Sequence, residues 1–282
     1  MKNIRIIPRL DIKGPNLVKG IHLEGLRVLG TPSDFASFYY ENGADELLFM
    51  DVVASLYDRN SLHEIISKTA EKIFIPLTVG GGLRTLSDIK SVLRAGADKV
   101  CLNTAAIKNP KIIKEAVNEF GSSTIVIAVE AIKQDNGEHL CFIDNGREYT
   151  GINVINWVDT IQQLGAGEII LTSVDKEGTG KGFDYELISK LVDNVSVPLV
   201  VHGGAGNKND IKDVINKFNI DAVSVSALFH YDFIKVNTTI KKNKSEGNYD
   251  FVTSGKSVKN INPCTIIELK DFLLKNNINI RK

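Results

Sequence analysis

Two glycine-rich runs and two isolated carboxylates are the residues of this sequence best suited to chemistry. Val79-Gly80-Gly81-Gly82 and His202-Gly203-Gly204-Ala205-Gly206 each follow a short apolar run and precede a helix-like stretch. Glycine lets backbone N–H groups approach an anion closely, and a following helix adds the positive end of its dipole. Asn103-Thr104 and Ser224-Val225-Ser226-Ala227 close two neighbouring apolar runs. Gly81, Gly82, Asn103 and Thr104 thus form one candidate phosphate site, and Gly203, Gly204, Ser226 and Ala227 a second. On opposite sides of one rim, they predict a ligand with a phosphate at each end. For either run alone, a tight strand-to-helix turn is the plainer reading.

Asp11 and Glu130 each end an apolar run. A carboxylate lining a core is costly unless a ligand solvates it or a cation pairs with it. If their surroundings push the two pKa values apart, one can serve as acid and the other as base. Pairing with Lys19 or with a backbone amide is the competing reading. Asp51, Thr172 and Asp175 end other strands, where they either bind the hydroxyls of a sugar-like middle section or cap the next helix. Lys19 joins them as a substrate-binding candidate. Arg5, Glu46, Lys99 and Glu168 stand instead at strand starts. Two positive and two negative groups at one depth suit a neutralised ring, although charges at strand starts are usually just solvated.

The elements that must position these residues alternate along the chain. Strands are expected at Ile4–Asp11, Glu46–Asp51, Phe74–Val79, Lys99–Asn103, Ser123–Glu130, Glu168–Ser173, Pro198–His202 and Asp221–Ser226. Amphipathic stretches such as Ser33–Asn42, Leu86–Ala95, Pro110–Phe120, Val154–Leu164 and Asp184–Asp193 lie between them. Such alternation means an α/β fold with a parallel sheet. An internal repeat decides how that sheet is closed. Glu46 and Glu168, Pro76 and Pro198, Gly81 and Gly203, and Asp88 and Asp210 all stand 122 residues apart. Two related halves of four βα units predict a twofold (β/α)8 barrel, the TIM barrel, whose active site lies at the carboxyl ends of the strands.

We read residues 1–282 as one barrel domain, with a polar insertion at about 241–263 before a last amphipathic stretch, Ile266–Lys275. The insertion reads as a solvated loop, or else as a partner-binding or lid element. Charge is balanced, with 34 basic and 34 acidic residues, so nothing calls for nucleic acid or a membrane surface. Three scattered cysteines without metal-type spacing read as reduced thiols of a cytoplasmic protein. No signal peptide or membrane span is expected, and no metal or cofactor. Of the five histidines, His202 lies beside a proposed phosphate site. His230 reads as a surface residue, and His22, His63 and His139 lack a useful partner nearby in sequence.

Taken together, Ile7-Pro8-Arg9-Leu10-Asp11, Thr78-Val79-Gly80-Gly81-Gly82, Ala97-Asp98-Lys99-Val100, Asn103-Thr104-Ala105-Ala106, Gly165-Ala166-Gly167-Glu168-Ile169 and Gly203-Gly204-Ala205-Gly206 form a specific set. With it the chain resembles the HisF family, the cyclase subunit of imidazole glycerol phosphate synthase in histidine biosynthesis. The likeness runs from about Ile4 to His230 and resumes in the last helix. It implies an enzyme that uses ammonia to close an imidazole ring on a bisphosphorylated ribulosyl aminoimidazole carboxamide, releasing imidazole glycerol phosphate and an aminoimidazole carboxamide ribotide. The ammonia would come up through the barrel from a separate glutaminase on its amino-terminal face. Asp11 matches the family's first acid–base carboxylate, and Arg5, Glu46, Lys99 and Glu168 match its ammonia gate.

The chain departs from the family pattern at four places. Glu130 stands where the family has its second catalytic aspartate, one methylene shorter. Arg9, two residues before Asp11, takes an inward-facing position that usually holds a small residue. His202 and the polar insertion also differ. Similar barrels beside sugar amidotransferases of surface-polysaccharide pathways are a rival match, which would make the chain an ammonia-delivering subunit. The sister isomerase of histidine biosynthesis shares the half-barrel repeat and both phosphate sites, but normally lacks the acid pair with the floor gate.

Overall fold

The computed structural model describes residues 2–53, 63–236 and 259–281. Eight parallel strands close on themselves in the order β1 (Arg5–Lys13), β4 (Leu47–Asp51), β5 (Leu77–Gly80), β6 (Lys99–Leu102), β7 (Ile125–Lys133), β10 (Glu168–Ser173), β11 (Leu199–His202) and β12 (Ala222–Val225). Pairing of β7 with β10 and of β12 with β1 leaves no free edge among them. The fold is a (β/α)8 barrel. Around it lie α1 (Pro32–Glu41), α2 (His63–Ala70), α3 (Leu86–Arg94), α4 (Thr104–Lys108), α5 (Lys111–Phe120), α6 (Val154–Gln163), α7 (Tyr185–Leu191), α8 (Lys208–Lys217), α9 (Ala227–Val236) and α10 (Ile266–Lys275).

Side chains alternate between two cores, because successive strand residues point to opposite faces. One set packs under the helices, for instance Ile6, Phe49, Val79 and Ile127. The other fills the barrel interior with Ile7, Leu48, Val126, Ile170, Val200 and Ala222. The glycine turns lead into helices whose starts carry the same bonds. Thr85 and Asp88 form a capping box on α3, and Asn207 and Asp210 form one on α8. Asp88 also accepts from Arg84 N at 2.9 Å, as Asp210 does from Gly206 N at 2.8 Å.

The barrel strands ending in Asp11 and Glu130 each continue into an antiparallel excursion, which simple strand–helix alternation does not foresee. β1 pairs with β2 (Asn16–Ile21), itself paired with β3 (Glu24–Gly30). β7 pairs with β8 (His139–Ile143), which pairs with β9 (Glu148–Asn153). The third barrel strand starts at Leu77, not at Phe74, whose ring is 82% exposed. Pro76 has no N–H to give to a ladder, so the strand begins after it. Most of the polar insertion lies outside the described residues. Its last residues return to the barrel, where Asn262 N donates to Gly206 O at 2.7 Å.

Candidate active site at the carboxyl ends of the strands

Gly81, Gly82, Asn103 and Thr104 line one cavity of about 380 Å³, together with Asp51, Glu130 and Asn145. Gly81 holds a φ of +102°, and a Cβ there would fall 2.3 Å from the Asp51 carbonyl oxygen. Gly81→Ala is therefore expected to deform the turn by a strain of about 1–3 kcal/mol. Its signature is a raised KM for a phosphorylated substrate with a lowered melting temperature; an unchanged KM would remove this turn from the site. Gly203, Gly204, Ser226 and Ala227 line a second, much smaller cavity with Lys19, His202 and Glu177. Gly204, at a φ of +108°, is in turn packed against Gly182 O.

Two carboxylates differ in their company. Asp11 is 2% exposed and takes a 2.8 Å hydrogen bond from Arg9 Nε. Burial alone would raise its pKa, but the charges of Arg9 and Lys19 and the Arg9 hydrogen bond together outweigh it and hold the group below the ordinary carboxylate range. Glu130 is 4% exposed and accepts from Gly146 N at 3.0 Å. Burial pushes it up to about 7, against the weaker pull of Arg9. One group is thus held ionised while the other keeps a proton near neutrality. Acid–base chemistry by two carboxylates requires surroundings that drive their pKa values apart in this way.

A family model described as "Histidine biosynthesis protein" matches residues 5–235. The "Imidazole glycerol phosphate synthase subunit HisF" of Legionella pneumophila is 55% identical over 206 residues, which is 73% of this chain and 97% of the relative. Its namesake from Clostridium botulinum (strain Alaska E43 / Type E3) is 46% identical over 86% of this chain and 96% of the relative. The chain belongs to the HisF family.

At the opposite face of this HisF-family barrel, four charges meet. Arg5 Nη1 bonds Glu46 at 2.9 Å, and its Nη2 bonds Glu168. Lys99 Nζ lies 2.9 Å from both Glu46 and Glu168. Each cation bridges both acids, and Thr78 Oγ1 donates to Glu46 at 2.7 Å. Burial disfavours the charges of Arg5 and Lys99, yet the two glutamates more than offset it and raise both pKa values. Two cations and two carboxylates thus form one ion-paired cluster at the strand starts.

Other candidates are placed differently. Thr172 is fully buried, and its hydroxyl takes a 3.4 Å contact from Arg9 Nη1. Asp175 is exposed; its carboxylate holds Lys133 N at 2.8 Å and lines neither cavity. Lys19 is buried in an ion pair with Glu177, a residue that sequence reasoning did not single out. Glu177 lies 158 residues from Lys19, inside a run that reads as a polar loop, so no local pattern marks it. His230 is no surface residue: it is fully buried, with Tyr39 Oη 2.6 Å from its Nδ1. His63 and His139 do find partners, Ser91 at 3.1 Å and Lys190 at 3.3 Å, through tertiary contacts.

Proposed function

We propose that this chain is the ring-closing subunit of an imidazole glycerol phosphate synthase in histidine biosynthesis, with Asp11 as general base and Glu130 as general acid. The observation carrying this reading is the division of charge between the two buried carboxylates. The two glycine cradles would hold the phosphates of the ribulosyl substrate and stretch its central section across the rim. Ammonia forms an N–C bond to the ribulosyl ketone carbon. Glu130 gives its proton to the ketone oxygen, and Asp11 takes one from the new ammonium nitrogen. The two carboxyls then return to their starting states by exchange with solvent.

Ammonia would be supplied by a glutaminase on the amino-terminal face and enter through Arg5, Glu46, Lys99 and Glu168. Passage between these four side chains would require one of their ion pairs to open. A second reading, ammonia delivery to an enzyme that amidates a surface-polysaccharide sugar, draws on Arg9. Its guanidinium lies in the barrel interior beside Asp11 and changes the surroundings in which the ring would close.

The deciding experiment is ring closure by the purified chain, given the bisphosphorylated substrate and excess ammonium salt. At a constant concentration of free ammonia, turnover should decline as pH rises through about 7, where Glu130 loses its proton. Glu130→Gln should lower the rate about 100-fold or more and remove that alkaline decline. Absence of wild-type turnover with substrate binding intact would favour ammonia delivery instead.

A further inference from the structure

Arg9 is a guanidinium buried among other charged side chains inside the barrel. On β1 the inward-facing residues are, in order, Arg5 in the floor ring, Ile7 in the apolar interior, Arg9 and Asp11. Arg9 is 2% exposed, so its guanidinium is withdrawn from water. Nε donates to Asp11 Oδ1 at 2.8 Å, and Nη1 reaches Thr172 Oγ1 at 3.4 Å. Thr172 belongs to β10, where it is the register partner of Glu130 on β7. The side chain therefore runs from the strand of one carboxylate to a neighbour of the other. Nη2 is buried without a hydrogen-bond partner. A buried guanidinium with an unsatisfied donor is costly, typically about 1–3 kcal/mol or more for the donor alone, and such a group calls for a reason.

We propose that Arg9 is a positioning residue for ring closure, fixing by its single direct contact which of the two rim carboxylates is the base. The proposal rests on the acid–base reading of Asp11 and Glu130. Both carboxyls are buried to a similar degree, and both feel the Arg9 charge. Asp11 alone receives a charge-assisted hydrogen bond from it, the kind that favours an ionised acceptor.

Among the other groups facing this cluster, Lys19 adds a positive charge that also favours ionised Asp11, but its ammonium bonds Glu177 and not Asp11. His202, from β11, is driven by burial to about 4, and His230, from α9, to about 3, so both are neutral near pH 7. Cys101, from β6, is pushed up to about 12 and stays a thiol. Glu130 otherwise meets the Gly146 amide and the Asn103 side chain. Arg9 thus supplies the larger of two positive charges at Asp11 and the direct hydrogen bond to it, from a position two residues away on β1.

Arg9→Gln and Arg9→Lys test this in two readouts: the pH dependence of kcat with ammonium salt, and the titration of the Asp11 carboxyl followed by carbon NMR. Arg9→Gln should lower kcat at pH 7 by about 10- to 100-fold and move the acidic limb and the Asp11 titration to higher pH. Arg9→Lys keeps a charge but not the planar fork. It should return the titration toward its wild-type position while kcat stays several-fold low. An Asp11 titration in folded Arg9→Gln that coincides with wild type would overturn the proposal. Should that variant fail to fold, the wild-type titrations decide: Asp11 titrating below the ordinary carboxylate range and below Glu130 supports the proposal, and Asp11 titrating above Glu130 overturns it. Failure of the cyclase reading shows separately, as wild-type protein without turnover.

Discussion

Asp11→Asn is expected to lower ammonia-dependent ring closure by about 100- to 10,000-fold, the usual range for losing a general base. Asparagine keeps the volume of the side chain and an oxygen for Arg9 Nε, but cannot take up a proton. The glycine cradles are untouched, so the loss should fall on kcat, with KM nearly unchanged. A stability cost accompanies it, because the Arg9 guanidinium is left buried without its counter-ion; breaking such a pair typically costs about 3–5 kcal/mol. Kinetics must therefore be run well below the variant's melting temperature. A folded variant retaining more than a tenth of wild-type kcat would rule Asp11 out as the base.

Lys19→Met carries the second large effect, and here it is on stability. The ion pair of Lys19 and Glu177 has side chains only 2% and 1% exposed. Lys19 Nζ also donates to Gly20 O at 3.0 Å, and Glu177 takes Leu23 N at 3.2 Å. Methionine fills similar space but leaves the glutamate buried without a cation. The expected loss is about 3–5 kcal/mol, which for a chain of this size lowers the melting temperature by on the order of 10 °C. Adding Glu177→Gln should recover much of that loss, since the stranded charge is what costs most. A loss below about 1 kcal/mol in thermal unfolding would show that Glu177 simply takes up a proton instead.

Much of this architecture was legible in the chain. Strand and helix periods, the 122-residue repeat and the glycine turns are local or regularly spaced signals, and each acts through backbone geometry that needs no distant partner. The strand-start charges were legible as residue types, but that Arg5, Glu46, Lys99 and Glu168 meet is set by the pairing of strands far apart in the chain. The excursions after β1 and β7 do carry turn signals, Gly14-Pro15, Asn136-Gly137 and Asn145-Gly146, which strand–helix alternation passes over; the β2–β3 turn alone lacks them. His22 and Leu23 take φ values of +54° and +62° where glycine or asparagine would have announced a hairpin.

By itself, then, the sequence determined the barrel, the glycine turns, the family and the identity of the residues at the strand ends. Only the tertiary structure decided which of those residues are partners. It paired Arg9 with Asp11 rather than with Glu130, Lys19 with Glu177 rather than with Asp11, and set Asp175 on Lys133 N away from both cavities. The reason is physical: the pKa of a carboxylate depends on burial and on charges within a few ångströms, and those neighbours come from strands far apart in the chain.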